Sequence, residues 1–264
     1  MKDKNIWIMG GFGNVLFQIL FALKFDRKSI QIVPVLTDKN FFTKFLKFTI
    51  HKKVYEPLFK ELNFSSYSPS FLKSLFILFK SLISKKIKAP YLDTYFYPYD
   101  EVGQTAKNNI NYFGYFQNKD LLEKYNVEIT ILNTAILSVF KPQKLTREVV
   151  VHFRLGDSDW AKANLHYYDE IKKLLILEKQ EITIVTDSIE EAREFFSNCN
   201  IKQIFSKSPE EDFKIMLEAV TLYTAPSTFS WWAGQFLSQN CTVIISSFVH
   251  NRLGYHGNSN LKVI

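Results

Sequence analysis

Cysteine is almost missing from this chain. Cys199 and Cys241 are the only two in 264 residues, and they lie far apart. That excludes a disulfide framework and a metal site of closely spaced thiolates. It fits a reducing compartment, with both thiols acting as small buried hydrophobes. No Gly-Lys-Ser/Thr phosphate loop occurs, which argues against a kinase or NTPase. No zinc-finger or RNA-binding signature occurs, and the lysines form no basic tail, so nucleic acid is not an expected partner. No segment is long, polar and biased enough to be disordered. A long uncharged apolar run is missing as well. The apolar stretch 6–23 follows Lys2 and Lys4 in the manner of a signal peptide. However, Gly10, Gly11, Gly13, Asn14 and Gln18 interrupt it, and no small-x-small cleavage site follows. The expectation is a cytoplasmic protein.

What is present is aromatic and basic. The chain holds 25 Phe and 13 Tyr and carries a net charge of +7. Such a balance attracts anions: phosphorylated small molecules, an acidic membrane surface or nucleic acid. A hydrophobic share of 47% and a charged share of 22% are ordinary for a globular protein. The length suits one large or two small domains.

The pattern along the chain is α/β. Residues 6–9 read as a strand, 10–14 (Gly-Gly-Phe-Gly-Asn) as a glycine turn, 15–25 as a helix and 30–36 as a second strand. Part of 41–60 reads as helix, and 71–88 clearly does. Phe71, Leu72, Leu75, Phe76, Phe79, Leu82 and Ile83 fall at helical spacing there, with Lys73, Lys80, Lys85 and Lys86 among them. That helix either packs on the core or rests on an anionic membrane surface. Residues 111–117 read as a strand and 119–140 as a helix, and Lys141-Pro142-Gln143-Lys144 as a hinge. The second half repeats the rhythm, with strands at 148–153, 182–186, 201–205, 222–225 and 242–246. Helices are expected at 168–179, 189–197 and 209–221, and a turn and helix at 227–237. The expected architecture is two domains, 1–144 and 145–264, facing a central cleft, with ligands at the carboxyl ends of the strands.

The densest chemistry lies in Val149–Trp160. A β-branched run delivers His152, Arg154 and Asp157 to its end beside Gly156. The planar, permanently charged fork of Arg154 suits a pair of phosphate oxygens, so this turn reads as the holder of a diphosphate leaving group. Asp157-Ser158-Asp159 has the Asp-x-Asp spacing that holds a divalent metal in some sugar-transfer enzymes. Because Arg154 already supplies positive charge, the expected site is metal-free, with no cofactor. Asp187 and Ser188 read as a turn and helix cap after a strand. Asp212 is either a capping carboxylate or a reader of a base with paired N–H donors, such as guanine. Ser227, Thr228, Phe229 and Ser230 open a helix, either as a cap over an aromatic core or as phosphate ligands. The turn holding Gly11, Gly13 and Asn14 lets backbone approach a ligand closely.

Four blocks together, GGFGNVLFQ (10–18), GYFQNKDLL (114–122), HFRLGD (152–157) and STFSWWAG (227–234), resemble the bacterial α-1,2-fucosyltransferase family. Weaker matches are Tyr167-Tyr168, ITIVTDS (182–188) and EDFKIM (211–216), so the likeness spans residues 10 to about 250. It implies a GT-B fold of two Rossmann-like domains, a GDP-sugar-binding second domain, GDP-β-L-fucose as donor, no metal, and inversion at the fucose carbon. It implies that Arg154 grips the departing β-phosphate. His152 and Ser227–Ser230 would line the diphosphate and Asp212 would read guanine, with Gly11, Gly13 and Asp187 completing the donor site. Asn14 would reach the cleft from the first domain. Asp157 is the candidate base, or else it orients Arg154. The implied acceptor is a galactose-containing glycan of bacterial surface polysaccharide, lipid-linked at the inner membrane, on which the protein would sit peripherally. Two positions depart from the family pattern: Leu155 stands where a second arginine is usual, and Val15 where a glutamine is. The single arginine followed by an apolar residue is also similar to the protein O-fucosyltransferases, which leaves acceptor and linkage open. The alternatives are a transferase of another GDP-sugar or with a protein acceptor, and a non-catalytic membrane- or polyanion-binding module.

Overall fold

The computed structural model describes residues 4–34, 36–37, 49–50, 52–66, 70–87, 94–97, 111–117, 119–143, 145–156 and 159–264. The chain divides into two compact units, Met1–Val139 and Phe140–Ile264. The division falls just before the 141–144 hinge expected from the proline.

In the first unit, β1 (Lys4–Ile8), α1 (Phe12–Leu23), β2 (Ile30–Pro34), β3 (Leu36–Thr37), β4 (Thr49–Ile50), α2 (Lys52–Glu61), α3 (Phe71–Ile87), β5 (Thr94–Tyr97), β6 (Asn111–Gly114) and α4 (Lys119–Leu122) follow in order. Helix α5 (Asn126–Phe140) leads into the second unit. Four strands form a parallel sheet in the order β2-β1-β6-β5. Helix α1 is apolar on nearly every face because nearly every face is buried. Its one polar interior side chain, Gln18, accepts from Met9 N at 2.8 Å and donates to Met9 O at 3.2 Å, which satisfies the buried amide and ties α1 to the end of β1. Val15, where the family pattern has glutamine, is part of this core. Ile77 and Leu78 of α3 pack with Trp7, Met9, Val33 and Phe113.

The second unit runs β7 (Arg147–Phe153), α6 (Asp159–Ala163), α7 (Leu165–Glu178), β8 (Glu181–Thr186), α8 (Ile189–Phe195), β9 (Asn200–Phe205), α9 (Pro209–Leu217), β10 (Ala219–Tyr223), α10 (Thr228–Gln235), β11 (Thr242–Ile245), α11 (Ser247–Leu253) and β12 (Asn260–Val263). Its six strands are all parallel, in the order β12-β11-β10-β7-β8-β9. Both faces of such a sheet are covered, which is why β7 and β8 read as continuous apolar runs. The order grows one way from β7 and the other way from β10. These two strands are neighbours, so the loops that follow them diverge at a topological switch point, where an open α/β sheet offers a crevice.

Several elements differ from expectation. Residues 119–140 form two helices rather than one. Helix α9 stops at Leu217 and strand β10 begins at Ala219, earlier than the apolar pattern suggested. Helix α3 does not bury its apolar stripe: Leu72, Leu75, Phe76, Phe79 and Leu82 are exposed. Among the described residues, no helix is long and apolar enough to cross a membrane.

Candidate functional site

Strand β7 ends at Phe153, and the next three residues are held from two sides. Arg154 N donates to the Tyr168 hydroxyl at 3.1 Å, and that hydroxyl lies 3.3 Å from Arg154 O. Tyr168 is fully buried on α7, edge-on to Phe153 at 4.8 Å. From the other side comes Asp187, one residue beyond β8, whose Thr186 is paired with Phe153. Asp187 Oδ1 accepts from Leu155 N at 3.2 Å and Gly156 N at 3.4 Å, and Oδ2 lies 3.8 Å from Arg154 Nε. One carboxylate therefore shapes the turn and balances its cation. A Cβ built on Gly156 would stand 2.5 Å from Asp187 Oδ2, so any side chain there would have to displace the carboxylate that holds the turn. Leu155, in the place of the family's second arginine, packs against the core of this unit. The Arg154 side chain keeps 29% of its surface in solvent, an oriented cation with access for an anion.

His152 lies one residue inside the strand and is buried. Burial, with help from the Arg154 charge, pushes its pKa down to about 3, so the ring is neutral at pH 7. Among the described residues its Nδ1 has no hydrogen-bond partner. The ring lies edge-on to Phe229, with centroids 5.7 Å apart, which brings the β7 turn against the turn after β10. There Ser227 caps α10 by accepting from Phe229 N at 3.2 Å. Ser230 Oγ accepts from Ala225 N at 3.0 Å and lies 3.4 Å from Ala225 O. Both serines thus build the turn, and half-buried Thr228 opens the helix. Asp212 sits in the first turns of α9, which Ser208 caps. Its Oδ1 accepts from Lys207 N at 3.1 Å, and burial, above all, raises its pKa to about 6. The next residue, Phe213, meets Phe229 at 5.2 Å. Arg154, His152, Asp187 and Ser227–Ser230 therefore gather around the carboxyl ends of β7, β8 and β10, while Asp212 stands at the start of α9, after β9.

In the first unit, Gly10 takes a left-handed φ of 82°, and a Cβ there would meet Asn14 Nδ2 at 2.9 Å. Gly13 is buried in α1, whereas a Cβ on Gly11 would meet nothing. Asn14 Oδ1 accepts from Gln117 Nε2 at 2.8 Å. Gln117 follows Phe116, whose left-handed φ of 54° is costly for an aromatic residue and is held by stacking on Phe21 at 4.0 Å. Sequence reasoning matched Gln117 and Tyr168 to family blocks without giving either a role.

Asp157 and Ser158 lie outside the described residues, so the base and the Asp-x-Asp spacing rest on sequence. Among the described residues, no group of three or more His, Cys, Asp or Glu could hold a metal ion.

No family model and no curated protein matches the chain. Solved structures do. The E. coli heptosyltransferase WaaC with ADP is 11% identical, covering 98% of this chain and 92% of its own, at a TM-score of 0.51. WaaC with ADP-2-deoxy-2-fluoro heptose gives the same identity and coverage at a TM-score of 0.48. POFUT1 in complex with GDP is 11% identical over 100% of this chain and 98% of its own, at a TM-score of 0.37. The first likeness establishes the fold: α/β, GT-B-like, with two Rossmann-like units.

Proposed function

We propose that the chain is an inverting glycosyltransferase that moves L-fucose from GDP-β-L-fucose to a glycan hydroxyl, the 2-OH of galactose, in bacterial surface polysaccharide synthesis. The observation that carries the transferase reading is Arg154. It is pinned by Tyr168 and Asp187 at the β7/β10 switch point, beside a neutral buried histidine and the start of α10. The guanine and fucose assignments rest on the sequence blocks. Cleavage of the sugar–phosphate bond puts negative charge on GDP and positive charge on the sugar. A guanidinium already fixed in place stabilises that leaving group more in the transition state than in the ground state, and it supplies charge that a divalent ion would otherwise provide. Neutral His152 adds a hydrogen-bonding nitrogen without a second full charge. Asp212, ionised at neutral pH, presents a carboxylate to the guanine N–H pair. The acceptor hydroxyl attacks the opposite face of the sugar and gives its proton to Asp157.

The test is transfer of fucose from GDP-fucose to a galactose-ended glycan by wild type and Arg154→Ala. The variant is expected to keep the ligand-free melting curve and to lose on the order of 10²–10³-fold in turnover, as when a single oxyanion-stabilising donor is removed. Wild-type turnover in the variant contradicts the proposal.

A further inference from the structure

Helix α3 is turned inside out relative to a helix that serves only a core. It buries Ser74, Ile77, Leu78 and Lys80, whereas Leu72 is 78% exposed, Phe76 59% and Phe79 62%, with Leu75 and Leu82 exposed beside them. Positions 72, 75, 76, 79 and 82 follow the i, i+3, i+4, i+7 rule, so they form one continuous stripe along the helix. Two of the buried residues, Ile77 and Leu78, fix the helix to the first core, so the stripe is held outward by packing. Contiguous apolar surface of this kind marks an interaction site.

Charge selects the occupant. The segment 71–87 contains Lys73, Lys80, Lys85 and Lys86 and no acidic residue, within a chain of net charge +7. Lys73 is exposed next to Leu72. Lys80 is buried, with Nζ 5.6 Å over the Phe76 ring, so among the described side chains of this helix it is Lys73 that presents a cation to solvent beside the stripe. A second copy of this chain would bring the same excess of positive charge against this face. A neutral apolar partner would desolvate Lys73 without compensation. An anionic lipid surface offers acyl chains to the leucines and phenylalanines and phosphates to the ammonium groups.

We infer that α3 lies in the plane of an anionic lipid surface, with Leu72, Leu75, Phe76, Phe79 and Leu82 inserted among the acyl chains. The inference does not depend on the transferase reading, because its test uses no substrate.

The experiment is co-sedimentation of the full chain with phosphatidylglycerol/phosphatidylcholine vesicles and with pure phosphatidylcholine vesicles, at low and high salt. The double variant F76S/F79S and the single variant K73E run alongside. The wild type is expected to pellet with the anionic vesicles and to be released by salt. The double variant, with an unchanged melting curve, is expected to bind about tenfold more weakly or less, since two large apolar side chains no longer insert. Lys73→Glu is expected to weaken binding to anionic vesicles. Three results overturn the inference: wild type remaining in the supernatant with anionic vesicles, the double variant binding as well as wild type, or a wild-type dimer in sedimentation analysis that F76S/F79S abolishes while lipid binding persists.

Discussion

The chemistry at single residues depends on which charges the fold permits. Asp187 serves two backbone N–H groups and one guanidinium, so its carboxylate is fully employed and Arg154 is aimed before any ligand arrives. His152 is kept neutral by burial. Asp212 is pushed the other way for an acid, to about 6 from an ordinary 3.8. Its folded pKa lies above its unfolded one, so the native state holds the proton more tightly. Asp212 therefore contributes stability below about pH 4 and loses it as the pH rises through 6. Asn keeps the acceptor for Lys207 N without the charge. Asp212→Asn is thus expected to gain stability over wild type between pH 4 and pH 7, by about 1 kcal/mol after allowance for solvent screening of a half-buried group. Melting temperatures of both proteins across that range measure it. A constant difference between them contradicts the assigned environment.

At the scale of elements, the second sheet is fastened beside the hinge. Glu218, the C-cap of α9, is buried and accepts from Gln143 N at 3.1 Å and Arg147 Nε at 3.3 Å. Glu218→Ala leaves both donors without that acceptor. It is expected to destabilise the second unit by about 2–3 kcal/mol, read by calorimetry, and a loss below about 0.5 kcal/mol contradicts this role. Strands β7, β8 and β11 were legible in the sequence because burial writes them as β-branched runs, whereas β4 and β5, short segments of two and four residues, were not. Strand β12 was not: it is an edge strand with exposed residues, so Asn260–Val263 carries no apolar signature. Residues 218–221 read as helix because a short apolar run fits either period. Arg154 and His152 were legible from the charged turn that ends a buried strand. The roles of Tyr168 and Asp187 were not, because they arise only when α7 and β8 pack beside β7. For α3 the stripe was legible but not the face it presents, which depends on where Ile77 and Leu78 find their core.

At the scale of the whole molecule, each of the two parallel sheets places polar side chains at the carboxyl ends of two neighbouring strands. These are Asn14 and Gln117 after β1 and β6, and His152 at the end of β7 with Arg154 and the Ser227–Ser230 turn after β7 and β10. The excess of positive charge over the chain favours an anionic donor and an anionic surface alike. The claim on which the functional account turns is that the second unit binds a guanine nucleotide through Arg154. The most direct measurement is the melting temperature of wild type and Arg154→Ala with GDP, ADP and UDP in the presence of EDTA. At roughly hundredfold excess over its dissociation constant, a ligand that binds only the folded state adds about 2.7 kcal/mol. A rise with GDP alone is expected in wild type, and little or none in Arg154→Ala. No rise with GDP, or an equal rise in the variant, contradicts it.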